Sequence, residues 1–199
     1  MAVNFKDSKT KENLMRAFAG ESQARNRYTF GAEQAASQKL YVVEAVFNFT
    51  ANQELAHAKV FFDKLCEMSG ENITVDGAYP VDISNSVAEL LRFAEHNELE
   101  EYNDAYKHFG DVAKEEGFLP IANTFYSIGE IEKTHAERFG TLAQMLENDT
   151  LFVSDVECEW MCLNCGNILN TKQAPPICPV CSHERGYFVR LELAPYTKR

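Results

Sequence analysis

Twice in this chain a glutamate and a histidine three residues apart interrupt the oily side of a helical stretch: "ELAHAKVFF" at 54–62 and "EKTHAERFG" at 132–140. The segments are 78 residues apart, and the same shift lays Tyr28 on Tyr106 and Phe47 on Phe125. Apolar residues recur around them at alternating three- and four-residue steps, the spacing of a bundle core. An unpaired ionised carboxylate in such a core costs several kcal/mol even after relaxation. A chain that repeats the pattern must therefore fold into two similar helical hairpins that give these charges a partner.

The rest of the first 150 residues fits that constraint. Stretches rich in Ala, Glu, Leu, Gln and Lys run from Ser8 to Glu147, with breaks at Ser37–Lys39, at 70–85 and at Glu116–Gly117. Four helices are predicted, at 8–37, 39–69, 86–116 and 118–147, each about 45 Å long at 1.5 Å per residue. The short first and third connections make antiparallel neighbours. The middle one could reach about 53 Å when extended, enough to return along the bundle and leave helices two and three parallel. That is a four-helix bundle with one long crossover, not the simple up-down-up-down form.

The seam, read helix by helix, is Leu14, Phe18, Glu21, Arg25, Tyr28, Ala32; then Val43, Phe47, Thr50, Glu54, His57, Phe61. The third helix gives Val87, Leu91, Ala94, Glu98, Glu101, Ala105, His108, Val112, and the fourth Ile121, Phe125, Ile128, Glu132, His135, Phe139, Leu142, Leu146. Five glutamates and two histidines thus point at one another. Five buried carboxylates would repel and take up protons or unfold the bundle. Two divalent metals supply four positive charges, with neutral imidazoles as further ligands. One Glu from each of two helices plus Glu-x-x-His from the other two is the pattern of di-iron and di-manganese carboxylate proteins. Tyr28 and Tyr106 are expected as core aromatics with hydroxyls near the metals, and His108 as a buried histidine rather than a ligand.

Beyond 150 the texture changes to Cys, Gly, Pro and short runs such as "YFVRLEL", so 1–147 reads as the bundle, 148–157 as a linker and 158–199 as a small β module. "CLNC" at 162–165 and "CPVC" at 178–181 offer four thiolates, Cys162, Cys165, Cys178 and Cys181, for one tetrahedral metal, zinc or a single iron. Attachment to a redox bundle favours iron, a one-electron carrier. Cys66 and Cys158 fall outside the spacing. The net charge of −11 lies wholly in the first 150 residues, which argues against a nucleic-acid partner. No apolar run reaches the roughly 18 residues of a membrane span, and the polar start lacks an export signal. No membrane association and a cytoplasmic location are expected.

"RAFAGESQARNRYTF" at 16–30, the two Glu-x-x-His segments, "AKEEGF" at 113–118 and "CLNCG…APPICPVC" closely resemble the rubrerythrin family over nearly the whole chain. The resemblance implies a ferritin-like bundle followed by a rubredoxin-like domain, and a non-haem di-iron peroxidase that reduces hydrogen peroxide to water in oxidative stress defence. It implies Glu54 and Glu132 as bridges, Glu21 as a terminal ligand on one iron, and Glu98 with His135 on the other. Glu101 and His57 become alternate ligands, and with Tyr28 and Tyr106 they are the candidate catalytic residues. The four cysteines would hold a rubredoxin-type iron fed by an NAD(P)H-linked reductase or a rubredoxin. A homodimer is implied, with one subunit's rubredoxin module near the partner's di-iron site. Ser182 stands where the family has Gly, at a position favouring positive φ, and Lys107 where it has Pro. Two other readings remain at this point: a ferroxidase that oxidises Fe(II) with oxygen, and a structural zinc protein with an inert bundle.

Overall fold

A computed structural model describes residues 3–195. Residues 1–2 of the expected bundle and 196–199 of the expected C-terminal module lie outside the described residues. Five α-helices, α1 (Lys9–Ser37), α2 (Tyr41–Asp63), α3 (Val87–Glu100), α4 (Tyr106–Glu115) and α5 (Leu119–Glu147), precede the strands β1 (Val153–Cys162), β2 (Ile168–Gln173) and β3 (Phe188–Arg190). The helix ends carry recognisable signals. Ser8 and Ser86 cap α1 and α3 by accepting the amides of Lys11 and Glu89. After α1 and α4 the chain passes through a left-handed residue, Lys39 (φ 60°) and Gly117 (φ 93°). There Leu40 N–H reaches back to Ala35 O and Phe118 N–H to Ala113 O, a turn that satisfies orphan carbonyls and reverses the chain.

Helices α3 and α4 are one rod, joined by a single π turn at Glu101–Ala105, where the sequence predicts an uninterrupted helix. A π turn takes one more residue than an α turn, so everything beyond it rotates. Tyr106, Gly110 and Ala113 face the core in place of the expected Ala105, His108 and Val112, and His108 is exposed, not buried. Arg25 is likewise exposed, because the inner stripe of α1 runs through Glu21, Ala24 and Tyr28. Helix α2 stops at Asp63, six residues before its expected end, and a 3-10 turn at Cys66–Met68 tucks Met68 into the core.

Packing shows the direction of each rod. Tyr28 reaches Glu98 while Tyr106 reaches Glu21, so α1 runs against α3–α4. His57 meets Glu132 and His135 meets Glu54, so α2 runs against α5. Helices α2 and α3 are therefore parallel, and residues 69–86 travel the length of the bundle as the long crossover.

Two apolar clusters fill the ends of the bundle, one around Phe47, Leu91 and Phe139, the other around Phe61, Tyr106 and Phe125. The acidic residues lie between them. The C-terminal sheet has the order β2-β1-β3, all antiparallel, over a separate core of Trp160, Ala174 and Phe188. Strand β1 begins at Val153, inside the expected 148–157 joint, with a register shift between Val153 and Cys158. The module docks on the α1–α2 turn. Tyr187 lies 4.2 Å from Tyr41, Glu184 pairs with Lys39 at 2.7 Å, and Val189 joins the bundle core. A Cβ on Gly186 would come within 1.8 Å of the Lys39 carbonyl, so that approach requires glycine.

Candidate metal centre

Helix α2 presents Glu54 and His57 on one face, and α5 presents Glu132 and His135, because residues three apart share a helix face. Glu21 comes from α1 and Glu98 from α3. All six are buried, and they form two overlapping quartets. Glu21, Glu54, His57 and Glu132 make the first, and Glu54, Glu98, Glu132 and His135 the second, with the donor atoms of each within 4.8 Å of one another.

The two shared glutamates divide their oxygens between the quartets. Glu54 turns Oε2 to His57 Nδ1 at 3.2 Å and Oε1 to His135 Nδ1 at 3.0 Å. Glu132 turns Oε1 to His57 Nδ1 at 3.1 Å and Oε2 to His135 Nδ1 at 2.7 Å. Each of the remaining glutamates is tied at one oxygen by a tyrosine. Tyr106 donates to Glu21 Oε1 and Tyr28 to Glu98 Oε1, which leaves Oε2 of each turned toward a histidine at 3.6 Å.

Those inner atoms lack hydrogen-bond partners. Glu21 Oε2, Glu54 Oε1, Glu98 Oε2, both Glu132 oxygens and both His135 nitrogens are buried without one, although charged groups stand within 4 Å. Donor atoms that lie close together yet do not point at each other share a common focus. A buried polar atom left unsatisfied costs roughly 1–3 kcal/mol, and seven such atoms in one place fit a pair of cations.

Electrostatics agree. Burial holds the Glu21 and Glu98 carboxyls well above the usual carboxylate range. Burial opposes ionisation of Glu54 too, yet contacts with His135 and His57 bring it down to about 2. The surrounding carboxylates lift His57 well above an ordinary imidazole and His135 to about 11, in both cases against burial. Without metal, the cluster holds its charge balance with protons, and divalent cations do the same work by displacing them.

Of the glutamates expected at the cluster, Glu101 belongs to neither quartet. It opens the π turn and lines a cleft of about 570 Å³ between α1, the crossover and the α3–α4 rod. Burial, then the charges of Glu132 and Glu54, push its carboxyl up to about 8.

In the small module, the sulfurs of Cys162, Cys165, Cys178 and Cys181 also gather within 4.8 Å. Cys162 and Cys181 are 3.7 Å apart, as are Cys165 and Cys178. A regular tetrahedron with metal–sulfur bonds of about 2.3 Å has edges of about 3.8 Å, so the four thiols already stand at metal-binding separation. Two matching knuckles hold them: Gly166 N–H bonds Cys162 O at 2.8 Å, and Ser182 N–H bonds Cys178 O at 3.0 Å. Cys66 and Cys158 stay outside the cluster.

Sequence reasoning missed Arg138, half-buried and donating to Thr50 Oγ1 at 2.9 Å and Gln53 Oε1 at 3.0 Å. It also missed Tyr79, brought to the Glu101 side by the crossover. Neither belongs to a periodic stripe that could have signalled it.

Fold and site together define a bundle protein with a carboxylate- and histidine-lined dimetal site and an appended tetrathiolate module. The family model for rubrerythrin matches residues 12–143, and the one for the rubrerythrin rubredoxin-like domain matches residues 160–189. The rubrerythrin of Porphyromonas gingivalis is 42% identical over 94% of this chain and 92% of its own length. That of Nitratidesulfovibrio vulgaris is 35% identical over 93% and 95%. Nigerythrin in its fully reduced, all-ferrous state superposes with a TM-score of 0.62 at 28% identity, covering 95% of this chain and 94% of the other. The bacterioferritin of Desulfovibrio desulfuricans, 24% identical with a TM-score of 0.65 over 75% of this chain and 87% of its own, shares the bundle fold.

The chain belongs to the rubrerythrin family. Its cofactors are those expected from the sequence, a carboxylate/histidine di-iron site and a rubredoxin-type four-cysteine iron site. Among the described residues no helix is long and apolar enough to cross a membrane.

Proposed function

We propose that the protein is a peroxidase that reduces hydrogen peroxide to water. The observation that carries this reading is the oxygen-by-oxygen sharing of Glu54 and Glu132 between the two quartets, in a chain that also holds a tetrathiolate. When bound there, two irons would supply the two electrons needed to cleave the O–O bond, and an iron held by the four cysteines would return electrons one at a time.

The chain's own residues set the conditions for that chemistry. Glu54 and Glu132 would be shared by the two metals, Glu21 would serve one position, and Glu98 with His135 the other. His57 and Glu101 would be alternate ligands of the first position; His57 stands within the quartet, and Glu101 is outside both quartets. Tyr106 and Tyr28 pin the outer oxygens of Glu21 and Glu98, so that each terminal carboxylate turns its other oxygen inward. Peroxide reduction consumes two protons, and Glu101, which fronts the cleft and feels the charges of Glu132 and Glu54, would carry them. Cys162, Cys165, Cys178 and Cys181 hold the electron-transfer iron, fed by an external NAD(P)H-linked reductase or a rubredoxin. The module docks at Tyr41, and Glu54 lies about 20 Å further along the bundle axis. That separation supports a homodimer in which one subunit's module serves its partner. A cytoplasmic location goes with this reading.

Stopped-flow mixing of the reduced protein tests it. Hydrogen peroxide should oxidise the protein at least about ten times faster than dissolved oxygen, a difference of about 1.4 kcal/mol in the barrier. A Glu54→Ala/His57→Ala variant should lose the fast phase. Faster oxidation by oxygen would replace the peroxidase with a ferroxidase.

A further inference from the structure

The crossover does more than connect α2 to α3. Two ion pairs, at residues 76 and 82 of the crossover, hold it to α1. Arg16 Nη2 pairs with Asp76 Oδ1 at 2.7 Å and its Nε donates to Asp76 O at 3.1 Å. Arg27 Nη1 pairs with Asp82 Oδ2 at 2.6 Å, and Asn97 Nδ2 donates to the same oxygen at 2.7 Å. Between these ties Tyr79, 41% exposed, lies along α1, its hydroxyl donating to Arg16 O at 3.1 Å.

The ring occupies a seat that two glycines leave open. A Cβ on Gly77 would stand 2.9 Å from Tyr79 Cε2, closer than such atoms approach. A Cβ on Gly20 would stand 3.7 Å from Tyr79 Cε1 and 4.0 Å from Glu101 Oε1. The ring and the Glu101 carboxylate therefore flank the same bare patch of α1. Both line the 570 Å³ cleft, together with Tyr106. The six residues of the two quartets are buried, whereas Glu101 is half-buried and fronts the cleft. Tyr79 thus stands on the wall of the cleft that Glu101 fronts.

We propose that Tyr79 is a specificity-determining residue, its ring narrowing the approach to Glu101 so that small peroxides reach the cluster and bulky organic hydroperoxides do not. The inference rests on the peroxidase reading for the identity of the oxidant; the narrowing itself rests on the seat of the ring. The ring's bulk does the work, since a planar side chain anchored to α1 by its hydroxyl excludes by size. Its hydroxyl faces away, toward the α1 backbone.

Two measurements on the full-length, iron-loaded protein test this. In the first, the ratio of oxidation rates with cumene hydroperoxide and with hydrogen peroxide is compared between wild type and variants. Tyr79→Ala should raise the ratio at least about tenfold, and Gly77→Ala, which pushes the ring from its seat, should raise it by a smaller factor. Tyr79→Phe, which keeps the ring, should leave the ratio at the wild-type value. In the second, bathophenanthroline disulfonate extracts iron from the reduced protein, with the tetrathiolate iron followed separately by its own visible band. Extraction from the bundle should be several-fold faster in Tyr79→Ala, with the tetrathiolate rate unmoved. Wild type that fails to react with hydrogen peroxide would remove the peroxidase reading and leave the extraction test intact. An unchanged ratio in a peroxide-reactive protein, or an unchanged extraction rate, overturns the role of Tyr79.

Discussion

The two hairpins of the bundle differ by one residue, and that residue makes the site unequal. In the first, Glu21 and Tyr28 are seven positions apart, two turns of regular helix. In the second, Glu98 and Tyr106 are eight apart because the π turn lies between them. Both pairs arrive at equivalent places, each tyrosine bonding the other hairpin's glutamate. The extra residue is absorbed where Glu101 stands. In α1 the matching stretch is Gln23–Ala24 and carries no acid. A symmetric cradle thus gains a spare carboxylate on one side only, and its two histidines are also unequal, His57 at 7% exposure against none for His135. The small module repeats the theme: its knuckles match except that Gly166 (φ 74°) faces Ser182 (φ 62°).

Removing what both halves share should do the most damage. Glu54→Ala takes one oxygen from each quartet, so both bundle irons should be lost together and iron analysis should fall from three per chain toward one. Peroxide-driven oxidation of the bundle should drop by about 100-fold or more, since metal affinity depends on ligand count. Loss of a single bundle iron would show that the oxygens are not shared as the geometry indicates.

Deleting Asn103, exposed within the π turn, would make the second hairpin copy the first. The rod should close into regular helix, keeping Tyr106 against Glu21 and shifting Glu101 to the place that Ala24 holds on the inner stripe of α1. Its melting temperature should stay within about 5 °C of wild type, while the peroxide reaction slows by about tenfold, a barrier change of about 1.4 kcal/mol. Unaltered kinetics would mean that the asymmetry is without consequence.

The metal-free bundle offers a pH test of the same difference. The carboxyl of Glu101, at about 8, binds its proton more tightly when folded than at the ordinary 4.5 of the unfolded chain. Its contribution is complete below 4.5 and disappears as pH rises through 8. His135, at about 11 against 6.5, adds a loss of the same sign above 6.5. Glu54, at about 2, acts the other way, but only as pH falls below 4.5. Metal-free protein should therefore melt lower at pH 8 than at pH 5, each titrating proton contributing at most about 1.4 kcal/mol per pH unit. Iron-loaded protein should show the opposite slope, because acid competes for the ligands. A Glu101→Gln variant should flatten the metal-free slope.

The smallest effect is expected where the knuckles differ. A residue other than glycine in the left-handed region costs roughly 1–2 kcal/mol, so Ser182→Gly should stabilise the module by about 1 kcal/mol. Chemical denaturation followed at Trp160, buried in that module's core, would detect it.

Much of the site was legible before the fold. Glu21, Glu54, His57, Glu98, Glu132 and His135 stand on stripes whose period alone turns them inward, and the cysteine spacing suffices for a tetrathiolate. The errors cluster where periodicity fails. His108 was placed inside because "EYNDA" carries no sign of an i+5 turn, and Arg25 because the α1 stripe was stepped one residue late. Tyr79 was invisible because a crossover has no repeating pattern from which to read a facing side.

What the amino-acid order determined unaided is the inventory: which donors exist, on which helices, and that both hairpins present them to a common centre. That much follows from helical repeat and from the cost of burying charge, both local properties of the chain. Tertiary structure alone decided how Glu54 and Glu132 divide their oxygens, that Glu101 faces a cleft, and that Gly186 seats the C-terminal module on Lys39. Those outcomes depend on distances between residues far apart in the chain, which only the packing of the rods sets.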